Sequence, residues 1–303
     1  MPKIVISTTT FGEFDARPVE ICREKGFEVI LNPHRRALKA EEVIELARAA
    51  LGLVAGIEPL SADVLSRLPL LKVISRCGVG LENIDLAAAE KLGIKVFNTP
   101  DAPTRAVAEL TVGLIFTLLR KISQMDGAIR SGRWEKLMGN LLHGKKVGIV
   151  GFGKIGRKVA EMLAPFGCEV VYADPSVGDG VQGCRRLGLA RLLAEADIVS
   201  IHAATKEKIL GAPELRLMKP GALLVNVARG EAVDEGCLCD CLSSGHLSGA
   251  ALDVFAQEPY TGPLRELENV ILTPHVGSYA QEARIEMERQ AVENLFLGLG
   301  VVQ

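Results

Sequence analysis

The stretch from Lys145 to Asp174, KKVGIVGFGKIGRKVAEMLAPFGCEVVYAD, restricts the possible folds of this chain more than any other. An apolar run of strand type, Lys146 to Val150, leads directly into Gly151-Phe152-Gly153-Lys154-Ile155-Gly156, and apolar residues then recur at helical spacing from Val159 to Phe166. A second apolar run, Glu169 to Tyr172, ends at Asp174. Strand, glycine turn, helix, strand and acidic residue in that order form a dinucleotide-binding fingerprint in its required context. Gly151 permits the sharp turn, Gly153 lets backbone approach a pyrophosphate, and Gly156 lets helix and strand pack closely. The helix N-terminus offers unpaired N–H groups to phosphate, and Asp174 is placed to accept hydrogen bonds from the adenosine ribose. Its charge would repel the extra phosphate of NADP, so the sequence predicts NAD.

Around this stretch, 303 residues leave room for about two domains. From Lys3 to Phe97 short apolar runs alternate with helical periodicities, which predicts a parallel sheet with crossover helices, and no glycine fingerprint follows its first strand. We read this half as the substrate domain. Thr104 to Lys121 is a helix apolar on most faces, suited to burial between two bodies, and Arg130 to His143 is a loop holding the one tryptophan, Trp134. After the fingerprint the pattern is helix Leu189–Ala196, strand Asp197–His202, strand Gly221–Ala228, helix Asp234–Ser243, strand Gly249–Phe255 and strand Asn269–Thr273. A last helix, Gln281 to Leu297, has no strand of its own and is expected to return to the first domain. The expected division is 1–98 plus 281–303 for substrate and 99–280 for dinucleotide.

A net charge of −2 gives no electrostatic case for nucleic acid or an anionic membrane. Without a basic, apolar leader or a long apolar span, a cytoplasmic location is the expectation. Seven cysteines in such a chain read as reduced thiols. Cys237, Cys239 and Cys241 cannot all share one helix face, so no metal site is expected.

Hydride transfer to a carbonyl also needs a proton donor and a grip on the substrate. Of five histidines, His34, His143 and His246 lie in polar loops or turns. His202 and His275 each follow an apolar strand, at the edge where open α/β sheets bind ligands, and position alone does not separate them. Arg229, Glu258 and His275 stand at three successive strand ends. A guanidinium can hold a carboxylate by two prongs, and a carboxylate can fix an imidazole tautomer.

GFGKIG, YADP, NVARGEAVDE, GAALDVFAQEP and TPHVGS, with the earlier GVGLENIDLAAAEKLGIKVFNTP, resemble the D-isomer-specific 2-hydroxyacid dehydrogenase family over nearly the whole chain. The resemblance implies two doubly wound parallel-sheet α/β domains, a discontinuous flavodoxin-like substrate domain and a Rossmann NAD-binding domain. It implies a catalytic Arg229, a proton-transferring His275 and a Glu258 that supports it. NAD-binding positions fall on Gly151 to Gly156, Asp174, His202, Ala228, Arg229, Asp253 and His275, with Asp253 near the nicotinamide amide. Substrate positions fall on Arg76, Gly78, Val79, Gly80, Arg229 and His275, the loop N–H groups of Gly78, Val79 and Gly80 taking the carboxylate. A homodimer built around the long helix and the Trp134 loop is implied as well. SRCGVGLENID, FNTPDAPTRAVAEL and PHVGSYAQEA are most similar to the branch that oxidises 3-phosphoglycerate to 3-phosphohydroxypyruvate for serine synthesis, and the regulatory domain of longer members is not expected. Two departures stand out. VAGIEPLS carries Glu58 and no arginine where some of that branch have one, and HAAT after the strand ending at His202 lacks the usual proline and precedes a shortened segment. A glyoxylate, hydroxypyruvate or other 2-keto acid reductase is the alternative, and a dinucleotide-sensing corepressor-like protein is the reading from another class.

Overall fold

A computed structural model of the chain describes residues 1–205 and 207–301, so Lys206, in the shortened segment after HAAT, lies outside the described residues. The chain divides into two units, Met1–Pro103 with Tyr279–Gln303, and Thr104–Ser278. This division assigns residues 99–103 and 279–280 to the first unit.

In the first unit, strands β1 (Lys3–Ile6), β2 (Glu28–Leu31), β3 (Ala50–Ala55), β4 (Val73–Arg76) and β5 (Lys95–Asn98) alternate with helices α1 (Arg17–Glu24), α2 (Ala40–Ala47), α3 (Ala62–Ser66) and α4 (Leu86–Lys91). All strand pairs are parallel, in the order β2-β1-β3-β4-β5, which is the flavodoxin-like order. Local chemistry sets the helix starts: Asp85 Oδ1 accepts the Ala88 N–H at 2.9 Å, and Glu42 reaches back to the Lys39 N–H at 2.7 Å. One sheet face packs against α2 and α3 through Val43, Ile44, Val64 and Leu65.

The other face carries the last helix of the chain (Gln281–Leu299), whose Met287, Ala291, Leu295 and Phe296 pack among Ile4, Ile6, Val54 and Val73. Close contact there depends on missing side chains. A Cβ on Gly298 would lie 2.7 Å from the Val73 methyls, and one on Gly52 would lie 2.7 Å from Leu295. This helix therefore joins the amino-terminal sheet although it is the end of the sequence.

The second unit opens with α5 (Thr104–Arg120) and α6 (Ile122–Arg130). It continues with β6 (Lys146–Val150), α7 (Lys154–Leu163), β7 (Glu169–Ala173), β8 (Arg185–Arg186), α8 (Leu189–Glu195), β9 (Ile198–Ile201) and α9 (Ala212–Leu217). β10 (Ala222–Asn226), α10 (Glu235–Ser243), β11 (Leu247–Leu252) and β12 (Val270–Leu272) complete it, and the returning helix is α11. The sheet order is β12-β11-β10-β9-β6-β7-β8, all parallel. Counted from β6 this is the Rossmann order with one added strand, and the order reverses between β6 and β9. α5 uses its apolar side within this unit: Ala108, Leu114, Ile115 and Leu119 are buried in one cluster with Val159, Ala160 and Leu163 of α7. Between α6 and β6 the chain is extended and irregular, with Trp134 and Met138 more than 80% exposed. Among the described residues no helix is long and apolar enough to cross a membrane.

Candidate active site

The glycine turn is built as its three glycines require. Gly151 has φ of +89°, and a Cβ there would lie 2.4 Å from the Ala203 nitrogen. A Cβ on Gly156 would lie 2.3 Å from the Gly151 carbonyl, whereas one on Gly153 would meet nothing within 4 Å. Two glycines thus close the turn against β6 and β9, and the third leaves open space at the start of α7. Gly153 caps that helix without any side-chain hydrogen bond, so its first N–H groups face outward for a pyrophosphate, with Lys154 exposed beside them. Ile155 is half-buried and packs inward.

Asp174 holds the turn in place. Its carboxylate accepts the Phe152 N–H at 2.7 Å and the Ser176 N–H at 2.8 Å, while the Arg157 Nε donates to the Phe152 carbonyl at 2.9 Å. Lone pairs remain on the half-buried carboxylate for ribose hydroxyls. For Phe152 the reading as a cofactor residue needs correction. Its ring is fully buried, stacked on Tyr172 at 4.0 Å between centroids, and its N–H is committed to Asp174.

Of the two strand-end histidines the structure separates what position could not. The His202 ring lies against Ser200, Nε2 to Oγ at 2.8 Å, its Nδ1 is buried without a protein partner, and burial pushes its pKa down to about 3. It stays neutral and is unsuited to proton transfer near pH 7. Its backbone lies against the Gly151 turn, which presses on the His202–Ala203 peptide.

His275 is different in every respect. Its ring is 54% exposed, and Nδ1 lies 2.9 Å from Glu258 Oε2. Glu258 Oε1 in turn accepts the Phe255 N–H at 3.1 Å, so the carboxylate is held from behind, and donation from Nδ1–H leaves Nε2 facing outward. His275 sits at φ of +54°, a backbone state a non-glycine residue keeps only when its surroundings impose it. Those surroundings are Asp253. Its carboxylate is 1% exposed and accepts the Thr273 hydroxyl at 2.6 Å and the N–H groups of Val276 and Gly277, each at 2.8 Å. Asp253 is thus the clamp around the turn that presents His275.

Arg229 stands after β10, its Nη1 donating to the Ala228 carbonyl at 2.8 Å. Asn226, which the sequence reading passed over, ties this turn by accepting the Ala228 N–H at 3.1 Å and donating to the Arg229 carbonyl at 2.9 Å. The other residue it passed over is Gly230. A Cβ there would lie 1.8 Å from the Phe255 carbonyl carbon, so the arginine turn and the loop leading to Glu258 touch through backbone alone. The available signal was the glycine directly after Arg229 at a strand exit. Since β10, β11 and β12 are neighbours in the sheet, Arg229, Glu258 and His275 leave one edge side by side.

In the first unit, Arg76 ends β4 and the loop after it holds Cys77, Gly78, Val79 and Gly80. The Gly78 N–H donates to Thr99 Oγ1 at 2.8 Å and to the Arg76 carbonyl at 3.0 Å, so it is not available to a substrate, a correction to the expected trio of donors. The N–H groups of Val79 and Gly80 have no partner among the described residues. Glu58 points into its own loop, fully buried, and its carboxyl meets the Ser7 hydroxyl and the Gly56 N–H at 3.0 and 3.1 Å. Burial pushes its pKa up.

The family model for the D-isomer specific 2-hydroxyacid dehydrogenase NAD binding domain matches residues 112–277, more than half of the chain. The chain belongs to the D-isomer specific 2-hydroxyacid dehydrogenase family. It is 37% identical over 290 residues to a glyoxylate reductase of Thermococcus litoralis, covering 90% of this chain and 87% of that one. A D-3-phosphoglycerate dehydrogenase of Mycobacterium tuberculosis is 39% identical over 256 residues, covering 82% of this chain and 48% of that protein. The TT0316 protein of Thermus thermophilus has a crystal structure similar at a TM-score of 0.91 and 35% identity, covering 98% and 97% of the two chains. As a family member the chain is an NAD-dependent oxidoreductase of the 2-hydroxyacid dehydrogenase type, and its second unit is the NAD-binding domain.

Proposed function

We propose that the enzyme interconverts a small unphosphorylated 2-keto acid, glyoxylate or hydroxypyruvate, and its D-2-hydroxy acid. The observation that carries this reading is that half-buried Arg76 and buried Arg284, in the first unit, each spend a guanidinium nitrogen on the protein itself. Arg76 turns its Nη1 onto the Cys77 carbonyl, and Arg284 donates to Thr10 Oγ1 at 3.0 Å and lies 3.6 Å from Glu288. Each guanidinium thus has one of its nitrogens engaged inside the first unit rather than offered to a phosphate. The Val79 and Gly80 N–H groups suffice for one carboxylate, and the similarity to a glyoxylate reductase over 90% of the chain points the same way.

Bound NADH supplies the hydride. Arg229 holds the carboxylate and keto oxygen, and His275 Nε2 delivers the proton that the new alkoxide requires. Glu258, fixed by the Phe255 N–H, keeps the ring in the tautomer and orientation for that transfer. In the reverse direction His275 takes the hydroxyl proton as the hydride leaves. Oxidation of 3-phosphoglycerate is the second reading, supported by the 39% identity to the M. tuberculosis enzyme. NADH oxidation with glyoxylate, hydroxypyruvate and phosphohydroxypyruvate side by side decides between them. We expect kcat/KM for an unphosphorylated acid to equal or exceed that for phosphohydroxypyruvate. A preference of about a hundredfold for the phosphorylated acid, roughly 2.7 kcal/mol, would establish the serine-pathway reading instead.

We also propose a cytoplasmic homodimer assembled through the irregular segment after α6, where Trp134, Met138 and Leu141 are all exposed. Sedimentation should give a dimer for the wild type and a shift to monomer for Trp134→Ala; a monomeric wild type would contradict this.

A further inference from the structure

Gly78 and Arg76 occupy one space. A Cβ built on Gly78 would lie 2.3 Å from Arg76 Nη1 and 2.8 Å from its Cζ, so the guanidinium fills the place where a side chain would stand. Nη1 donates to the Cys77 carbonyl, turning that peptide toward the inside. Every other inner group of the loop is tied as well. The Gly78 N–H meets Thr99 Oγ1, the Gly78 carbonyl accepts the Thr99 N–H at 3.0 Å, and the Val79 carbonyl accepts Asn98 Nδ2 at 2.8 Å. Asn98 is itself held from α11, where Asn294 Nδ2 donates to its carbonyl at 2.9 Å. What remains outward is the pair of N–H groups on Val79 and Gly80.

The guanidinium is poorly provided for in this position. Its Nε is buried with no hydrogen-bond partner, and among the described residues it has no ion pair. Glu58, a nearby carboxyl, does not neutralise it. The Ser7 hydroxyl has a single proton and lies between the Val54 carbonyl, at 3.0 Å, and Glu58 Oε1. The Val54 carbonyl already accepts the Ser7 N–H at 3.0 Å, and the Gly56 N–H reaches Ser7 Oγ at 3.1 Å. Burial of Glu58 pushes its pKa up, which favours the neutral acid over a counterion's charge. A half-buried cation with no ion pair among the described residues, beneath two N–H groups without a protein partner, favours an anion there.

We propose that Arg76 is a positioning residue, whose guanidinium beneath Gly78 sets the Val79 and Gly80 N–H groups for the carboxylate of a 2-keto acid and does not itself bind a second anionic group of the substrate. This deepens the proposed function and rests on its reading of the loop as the carboxylate site. It explains why the loop carries a glycine at 78, and it assigns the substrate class as monoanionic acids.

The test uses the full chain with Arg76→Met and Arg76→Lys. With NADH, the KM values for glyoxylate and phosphohydroxypyruvate should rise by a common factor of about ten or more in Arg76→Met, with kcat changed less than about threefold and NADH affinity retained. Arg76→Lys, which keeps charge without the planar fork, should fall between. Without any substrate, amide hydrogen exchange of Cys77 and Gly78, whose N–H groups are bonded to the Ala55 carbonyl and to Thr99 Oγ1, should quicken about tenfold in both variants while β1 and β3 keep their protection. A loss confined to phosphohydroxypyruvate would make Arg76 a phosphate ligand and overturn the proposal, as would unchanged exchange in the loop. A wild type that reduces neither acid would remove the substrate reading, and the exchange result would still judge Arg76 on its own.

Discussion

Single residues in this protein divide into those that face a ligand and those that hold the first kind still, and chemical type does not tell them apart. Asp174, Asp253 and Glu258 are carboxylates at strand exits, yet each is fixed by backbone N–H groups, and only Glu258 also meets an imidazole. Glu288 on α11 is a further case. Its side chain is 1% exposed, it accepts the Gly12 N–H at 2.9 Å, and Arg284 stands 3.6 Å away. Burial, with Asp15 and Glu13 nearby, outweighs Arg284 and the Gly12 N–H and pushes its pKa up to about 7. A raised folded pKa means that this group's contribution is fully present below its unfolded value near 4.5 and is lost as pH rises through about 7. Glu288→Gln, which keeps the acceptor without the charge, should therefore melt higher than the wild type at about pH 8.5 and nearly level with it at about pH 5, the gain being at most about 3 kcal/mol. An equal offset at both pH values would contradict the assignment.

At the scale of elements, the strands were legible wherever apolar runs were short and bounded, and all but β8 fell at the predicted places. The misses share a cause. β8 is two arginines, Arg185 and Arg186, with no apolar signal, and it counts as a strand because it pairs with Val171 and Tyr172 at the sheet edge. α9 begins at Ala212-Pro213 and is only six residues long, too short for periodicity to register. In the sequence, helical periodicity runs from Ala40 to Ala50, past the end of α2 at Ala47. Ala50 belongs to β3, pairing with Lys3, because tertiary pairing overrides the helical preference of alanine. The glycine turn was fully legible, since its context carries the signal. The Phe152 side chain was not, because a residue inside a fingerprint can equally well be core.

For the molecule as a whole, the candidate site could be proposed from sequence and the supports behind it could not. Arg229, Glu258 and His275 follow from strand exits plus resemblance. Their supports, Asn226, Gly230 and Asp253, act through backbone contacts between segments far apart in sequence, which no local pattern encodes. The same holds for Glu58, whose formal charge suggests a barrier to anions until its partners Ser7 and Gly56 are seen. The central claim is that His275, steadied by Glu258 and the Asp253 clamp, moves the proton in a hydride-transfer reaction on a 2-keto acid. The most direct measurement is the turnover of NADH with glyoxylate by His275→Ala beside the wild type, with NADH affinity measured for both. The account predicts that kcat falls by about a thousandfold while NADH affinity stays within about twofold. Turnover by His275→Ala within about tenfold of the wild type would contradict it, because no other histidine at the strand edge is left charged to replace it.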